Sequence, residues 1–113
     1  MDEADPVIAV LTSVPSRALA RKMGVHLVEL KLAACVNILG ACDSVYRWQG
    51  VVEMAREYPL LIKTTRARYA ALEAAIIRLH PFDVPEIIAM DVGNGLPAYL
   101  EWVRCETAAD PAN

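Results

Sequence analysis

The feature that most constrains this chain is a pair of long extended segments that meet at Trp48. Leu32–Trp48 carries Val36, Ile38, Val45 and Tyr46, residue types that favour strands. Gln49-Gly50 is a turn candidate, and Val51–Thr65 returns as a second strand with Leu60, Leu61 and Ile62 at its apolar centre. A strand the length of the first segment extends ~55 Å at about 3.3 Å per residue. A globule of this chain length has a diameter of about 35 Å. The hairpin must therefore bend sharply or project beyond its own domain, and a projecting arm rich in Val, Tyr and Trp needs a second copy to cover it. Gly40 predicts a bulge or kink within the first segment. Pro59 cannot donate to a ladder, so it is expected at an edge or a bulge.

Composition points the same way. The chain has 113 residues, 56% of them apolar. A chain this short buries only about 60–70% of its unfolded surface when it folds alone. Burial against other subunits is the usual remedy, so an oligomer is expected. One domain fills residues 1–113, with an ordered core from about 7 to 106.

The rest of the chain reads as strand, helix, the hairpin, helix, strand, helix. Val7–Leu11 is a buried strand, broken by Ser13, Pro15 and Ser16, with Ser16 as helix N-cap. Ala20, Met23, Leu27 and Leu30 then recur on one helix face, and Gly24 permits close packing. A second helix carries Tyr69, Leu72, Ile76 and Leu79; Thr65 is expected to cap its start, and Pro81 stops it after His80. Glu86–Val92 is a strand ended by Gly93-Asn94-Gly95, and Pro97 opens a last helix with Leu100 and Val103 inward. Ala108–Asn113 reads as a frayed tail. This order predicts an α+β, ferredoxin-like βαββαβ sandwich with a long central hairpin and an extra C-terminal helix.

Several function classes are excluded. With a net charge of −3 and no basic stripe, nucleic acid is not an expected partner. Arg17, Arg21, Lys22 and Lys31 read as the solvated face of the first helix. No apolar run approaches the ~18 residues of a membrane span. The acidic start Met1–Pro6 lacks a secretory pattern, so a cytoplasmic protein is expected. Cys35, Cys42 and Cys105 show no CxxC spacing and are read as reduced thiols.

Leu32-Ala33-Ala34-Cys35-Val36-Asn37, Tyr46-Arg47-Trp48-Gln49-Gly50, Leu61-Ile62-Lys63-Thr64 and His80-Pro81-Phe82-Asp83-Val84-Pro85-Glu86-Ile87 resemble the successive signature blocks of the CutA divalent-cation tolerance family. Tyr99-Leu100-Glu101-Trp102 is similar to its closing block. The blocks follow in family order from about Val7 to Val103. The resemblance implies a tightly packed trimer of ferredoxin-like protomers whose hairpins embrace their neighbours. It also implies a role in tolerance to copper and other divalent ions. The implied architecture is similar to that of PII signalling proteins, which bind small ligands in clefts between subunits. Copper-binding members of the family carry a cysteine near the end of the first strand and a histidine pair before the proline. Here Thr12 and Leu79 stand at two of those positions, and Phe82 replaces the usual tyrosine. Neither a hydroxyl nor an aliphatic chain suits a soft copper ion.

The candidate site residues follow. His80 and Cys35 are the candidate metal ligands, imidazole and thiolate both suiting copper. The bland alternatives are a core cysteine and a helix-ending imidazole that caps the dipole. Trp48, Glu57, Lys63, Glu86, Tyr99 and Trp102 are candidate linings of an intersubunit cleft, against structural roles as ion pairs or interface aromatics. Two readings result: a homotrimeric metal-response protein that binds copper or another divalent ion weakly, with no cofactor required, or a PII-like module that binds a small metabolite. Cys35 and His80 also fit a nucleophile and base. No strained nucleophile turn, phosphate-cradling loop or paired carboxylate motif accompanies them, so an enzyme is not expected.

Overall fold

The computed structural model describes residues 5–109. Residues 1–4 and 110–113, parts of the acidic start and of the expected tail, lie outside the described residues. The elements are β1 (Val7–Val14), α1 (Arg17–Glu29), β2 (Cys35–Ile38), β3 (Cys42–Trp48), β4 (Val51–Thr65), α2 (Tyr69–Leu79), β5 (Ile87–Asp91) and α3 (Pro97–Glu106). A 3-10 turn, Arg66–Arg68, leads into α2.

The sheet runs β2-β4-β1-β5 with every pairing antiparallel, and β3 continues beside β4 past the end of β2. This is the expected ferredoxin-like order. Along β1 the side chains alternate between faces. Ile8, Val10 and Val14 meet Leu60 and Ile62 of β4 on one face, where Ala20, Met23 and Leu27 of α1 and Leu72, Ala75 and Ile76 of α2 close the core. Gly24 lets α1 approach β2: a Cβ there would stand 3.3 Å from Val36 Cγ1. Val7, on the opposite face, packs with Ala34 and Val103, so α3 covers only one end of that second face. Ile88 and Met90 of β5 remain exposed on the rest of it.

β1 extends three residues beyond the expected stop at Leu11, because Ser13 and Val14 pair with Pro59 and Tyr58. Cross-strand pairing overrides the local breaking tendency of Ser13. Ser16 does cap α1, accepting from the Leu19 N–H at 3.2 Å. Thr65 does not cap the second helix; its hydroxyl is buried without a partner among the described residues. Asp5 takes that role, its carboxylate accepting from the Ala67 N–H at 3.1 Å. Leu30 is half exposed and closes α1 rather than joining the core.

The hairpin projects. The molecule measures 49 × 29 × 24 Å, well beyond the roughly 35 Å of a compact globule of this size. Gln49 and Gly50 both have positive φ, 51° and 82°, which forms the two-residue turn whose twist matches the strands. Ile38 lies opposite Leu60 and Cys42 opposite Glu57, so residues 39–41 face only two residues of β4. That is the bulge expected at Gly40. Pro59 sits against it with its carbonyl accepting from the Leu39 N–H at 2.9 Å. Its nitrogen faces the same side, so the missing donor falls at the bulge and the ladder to β1 is spared.

A candidate cation cleft between the hairpin and the Pro81–Glu86 loop

The arm has two chemically distinct faces. Cross-strand pairs place Tyr46 with Glu53, Cys42 with Glu57 and Trp48 with Val51 on one of them. The other presents Val45, Val52 and Met54, which are 62%, 63% and 68% exposed, interspersed with Asp43, Arg47 and Arg56, and Val45 also borders the cleft described next. These three side chains are as uncovered as an apolar residue on a loop tip, although they lie mid-strand.

The first face forms a wall of a cleft of about 720 Å³. Tyr46, Trp48, Glu53 and Glu57 come from the hairpin, and Phe82, Asp83 and Glu86 from the loop after α2. No Lys, Arg or His lines it. Among the described residues none of the four carboxylates has an ion-pair partner; the ion pairs there join Arg66 to Asp91 and Arg104 to Glu101. Trp48, Glu57 and Glu86 thus line one cleft within the protomer, whereas the sequence reading placed them in a cleft between subunits.

Lys63, Tyr99 and Trp102 form a separate group within the protomer. Lys63 lies opposite Cys35 across the β2–β4 ladder and donates to the Asn37 side-chain oxygen. Tyr99 of α3 stands beside Cys35; burial first, and then that thiol, push the Tyr99 phenol above its usual range. Its ring packs on Trp102 with centroids 5.6 Å apart.

His80 is held in one tautomer. Nε2 lies 2.7 Å from the Ser13 carbonyl, which can only accept, so Nε2 carries the proton. Nδ1 accepts from the Phe82 N–H at 3.2 Å. The imidazole is buried and packs against Phe82 at a tilt, with ring centroids 4.8 Å apart. Both nitrogens are occupied, and the ring's work is to tie the cleft loop to β1. Cys35 is level with Ala9 in the sheet register, four residues along β1 from Ser13. That separates it from the His80 anchor by ~13 Å along the strands. The protomer does not bring the two together, and no three His, Cys, Asp or Glu among the described residues converge on a metal position. Within one protomer, Cys35 and His80 therefore cannot hold copper together. The sequence could not show this, because the partners of His80 are a carbonyl 67 residues away and a neighbouring amide. Asp83 and Glu53, cleft residues that motif reading passed over, were detectable only as acids near Glu86 and Glu57.

Known proteins share this architecture. Residues 8–106 match the family described as CutA1 divalent ion tolerance protein. The divalent-cation tolerance protein CutA of Thermus thermophilus is 46% identical over 98 residues, covering 87% of this chain and 95% of the relative. The chloroplastic CutA of Arabidopsis thaliana is 40% identical over 102 residues, covering 90% of this chain and 56% of the relative. The chain thus spans nearly all of the bacterial relative but little more than half of the plant one. Among solved structures, the Cut A1 protein of Thermus thermophilus superposes with a TM-score of 0.89 at 44% identity, covering 90% of this chain and 99% of the other. CutA1 of Oryza sativa gives 0.90 at 37%, covering 94% and 97%.

Proposed function

This chain belongs to the CutA1 divalent ion tolerance family, and from that premise we propose that it works as a homotrimer in the response to divalent metal ions. The observation that carries the reading is a cleft of four carboxylates, none ion-paired among the described residues, along an arm that leaves Val52 and Met54 exposed. Val45, Val52 and Met54 give each arm a face for a neighbouring copy, and the exposed Ile88 and Met90 give the sheet a second one. Both are buried when copies associate, which makes the trimer the stable unit.

The ions are cargo rather than a resident cofactor. Glu53, Glu57, Asp83 and Glu86 are too dispersed within a protomer to chelate one ion. They attract hydrated divalent cations, and donors from a neighbouring subunit complete the coordination. Oxygen donors of this kind favour hard ions over Cu(I), with roughly millimolar affinity. The names of the family and of its relatives describe tolerance rather than catalysis. Three free thiols support placement in a reducing compartment, the cytoplasm.

Calorimetry of the oligomer with Mn(II) and Cu(II) tests this. Weak binding is expected for Mn(II), lowered about tenfold in the Glu57→Gln, Glu86→Gln double variant, since two charges are removed. Heat unchanged by that variant, or none from the wild type at millimolar ion, refutes the reading.

A further inference from the structure

The cation reading makes no use of the group around Cys35. Cys35 and Lys63 stand directly opposite each other across β2 and β4. Their side chains therefore leave the same face of the sheet, with Cβ atoms ~5 Å apart. Asn37, two residues along β2, shares that face. Its side-chain oxygen accepts from the Lys63 ammonium and from the Cys35 thiol, the latter at 3.8 Å. A nucleophilic sulfur and a primary amine are thus gathered on one acceptor atom. The Tyr99 phenol of α3 stands against the same sulfur, which is half-buried and open to a solute as small as peroxide. All four residues belong to one protomer, so the arrangement is complete without a neighbouring copy.

The other two thiols lack this company. The Cys42 sulfur meets the Ser44 hydroxyl at 3.7 Å, and Cys105 donates to the Glu101 carboxylate at 3.6 Å. The bond to that carboxylate pushes the Cys105 thiol up, which lowers its thiolate fraction and with it its reactivity. A thiol beside an amine has a distinct fate on oxidation. Peroxide converts a thiol to a sulfenic acid, which either takes up more oxygen irreversibly or condenses with a nearby nucleophile. Condensation with nitrogen gives a sulfenamide, from which the thiol can be recovered.

We propose that Cys35 and Lys63 form a peroxide-driven covalent link, a sulfenamide that joins β2 to β4. Hydrogen peroxide oxidises the Cys35 sulfur by two electrons, leaving S–OH and one water. Lys63 Nζ, once its ammonium proton has passed to solvent, attacks Sγ. The S–N bond forms, the S–O bond breaks, and the departing hydroxide takes the second amine proton as water. Thiol, ammonium and peroxide thereby give the sulfenamide, two waters and one proton. The link removes the positive charge of Lys63 and protects Cys35 from irreversible oxidation. It stands apart from the carboxylate cleft and does not rest on it.

The test treats the full chain in its native assembly with about one to five equivalents of hydrogen peroxide in EDTA. N-ethylmaleimide under denaturing conditions, digestion and mass spectrometry follow. The expected product is a peptide pair joined through Cys35 and Lys63, about 2 Da lighter than the sum of its parts and separated by dithiothreitol. Lys63→Arg keeps the charge and a donor for Asn37 but offers no amine. Its Cys35 should run on to the sulfinic acid, about 32 Da heavier, with irreversible thiol loss raised at least about fivefold. Cys35→Ser should abolish the link and leave oxidation of Cys42 and Cys105 unchanged. The wild-type product is read without any variant, so a substitution that misfolds does not hide the result. Absence of the linked pair would overturn the proposal, as would thiol loss at Cys35 that is equal in wild type and Lys63→Arg.

Discussion

Two threonines on the same sheet face should respond to the same substitution with opposite signs. Thr12 and Thr64 both lie on the helix-covered side and both are fully buried. The Thr64 hydroxyl donates to the Leu32 carbonyl at 2.7 Å, closing the loop that joins α1 to β2. The Thr12 hydroxyl has no hydrogen-bond partner among the described residues. Valine has nearly the same shape as threonine, so each substitution changes polarity with little change in packing. Thr64→Val removes a net ~1 kcal/mol bond and leaves the Leu32 carbonyl without its donor, for a loss of about 1–3 kcal/mol. Thr12→Val removes a hydroxyl whose burial costs about 1–3 kcal/mol and adds an apolar methyl, for a gain of about 1 kcal/mol. The two variants should therefore differ by roughly 3 kcal/mol, or more than about 10 °C in Tm. Chemical denaturation at one fixed protein concentration measures this, because an oligomer's stability depends on concentration. A Thr12→Val protein less stable than wild type would refute the argument, since it would mean that the hydroxyl is satisfied.

Other expectations follow from single contacts. Gly50→Val should cost about 1–2 kcal/mol, because φ of +82° at the hairpin turn strains a β-branched residue; denaturation reads the loss. Asp5→Ala should cost ~1 kcal/mol and speed amide exchange at Ala67, whose N–H loses its acceptor. The phenols of Tyr69 and Tyr99 are raised, the first by burial and by its bond to Glu73, the second by burial and by Cys35. Phenolate forms more readily in the unfolded chain, so their contribution is whole below pH 10 and is lost as pH rises above it. Tyr69→Phe should flatten that alkaline loss in a pH series of unfolding curves.

Much of the fold is legible in the sequence because it rests on local pattern. Ser16 caps the helix that follows it, Gly40 marks the bulge, and Gln49-Gly50 turns the hairpin, each within a few residues of its effect. What escapes such reading depends on partners far along the chain. Pairing with β4 carries β1 past Ser13, and Asp5 caps a helix more than sixty residues away. The site divides along the same line. Trp48, Glu57 and Glu86 line one cleft of the protomer, since the hairpin and the His80–Ile87 block carry them on facing supports. Residue type made His80 a ligand candidate, whereas Ser13 and Phe82 leave it no free nitrogen. Lys63 and Glu86 read as an ion pair or as linings of a cleft between subunits; within the protomer they stand apart, because β4 carries Lys63 to the end covered by α3.

The whole account turns on whether the exposed face of the arm meets another copy. Sedimentation equilibrium of the full chain at micromolar concentration addresses this directly. A species of about 37 kDa, three times the 12.4 kDa chain, that falls apart when Val52 and Met54 are changed to Asp is the expected result. A stable 12.4 kDa particle in the wild type, its arm in water, would contradict it.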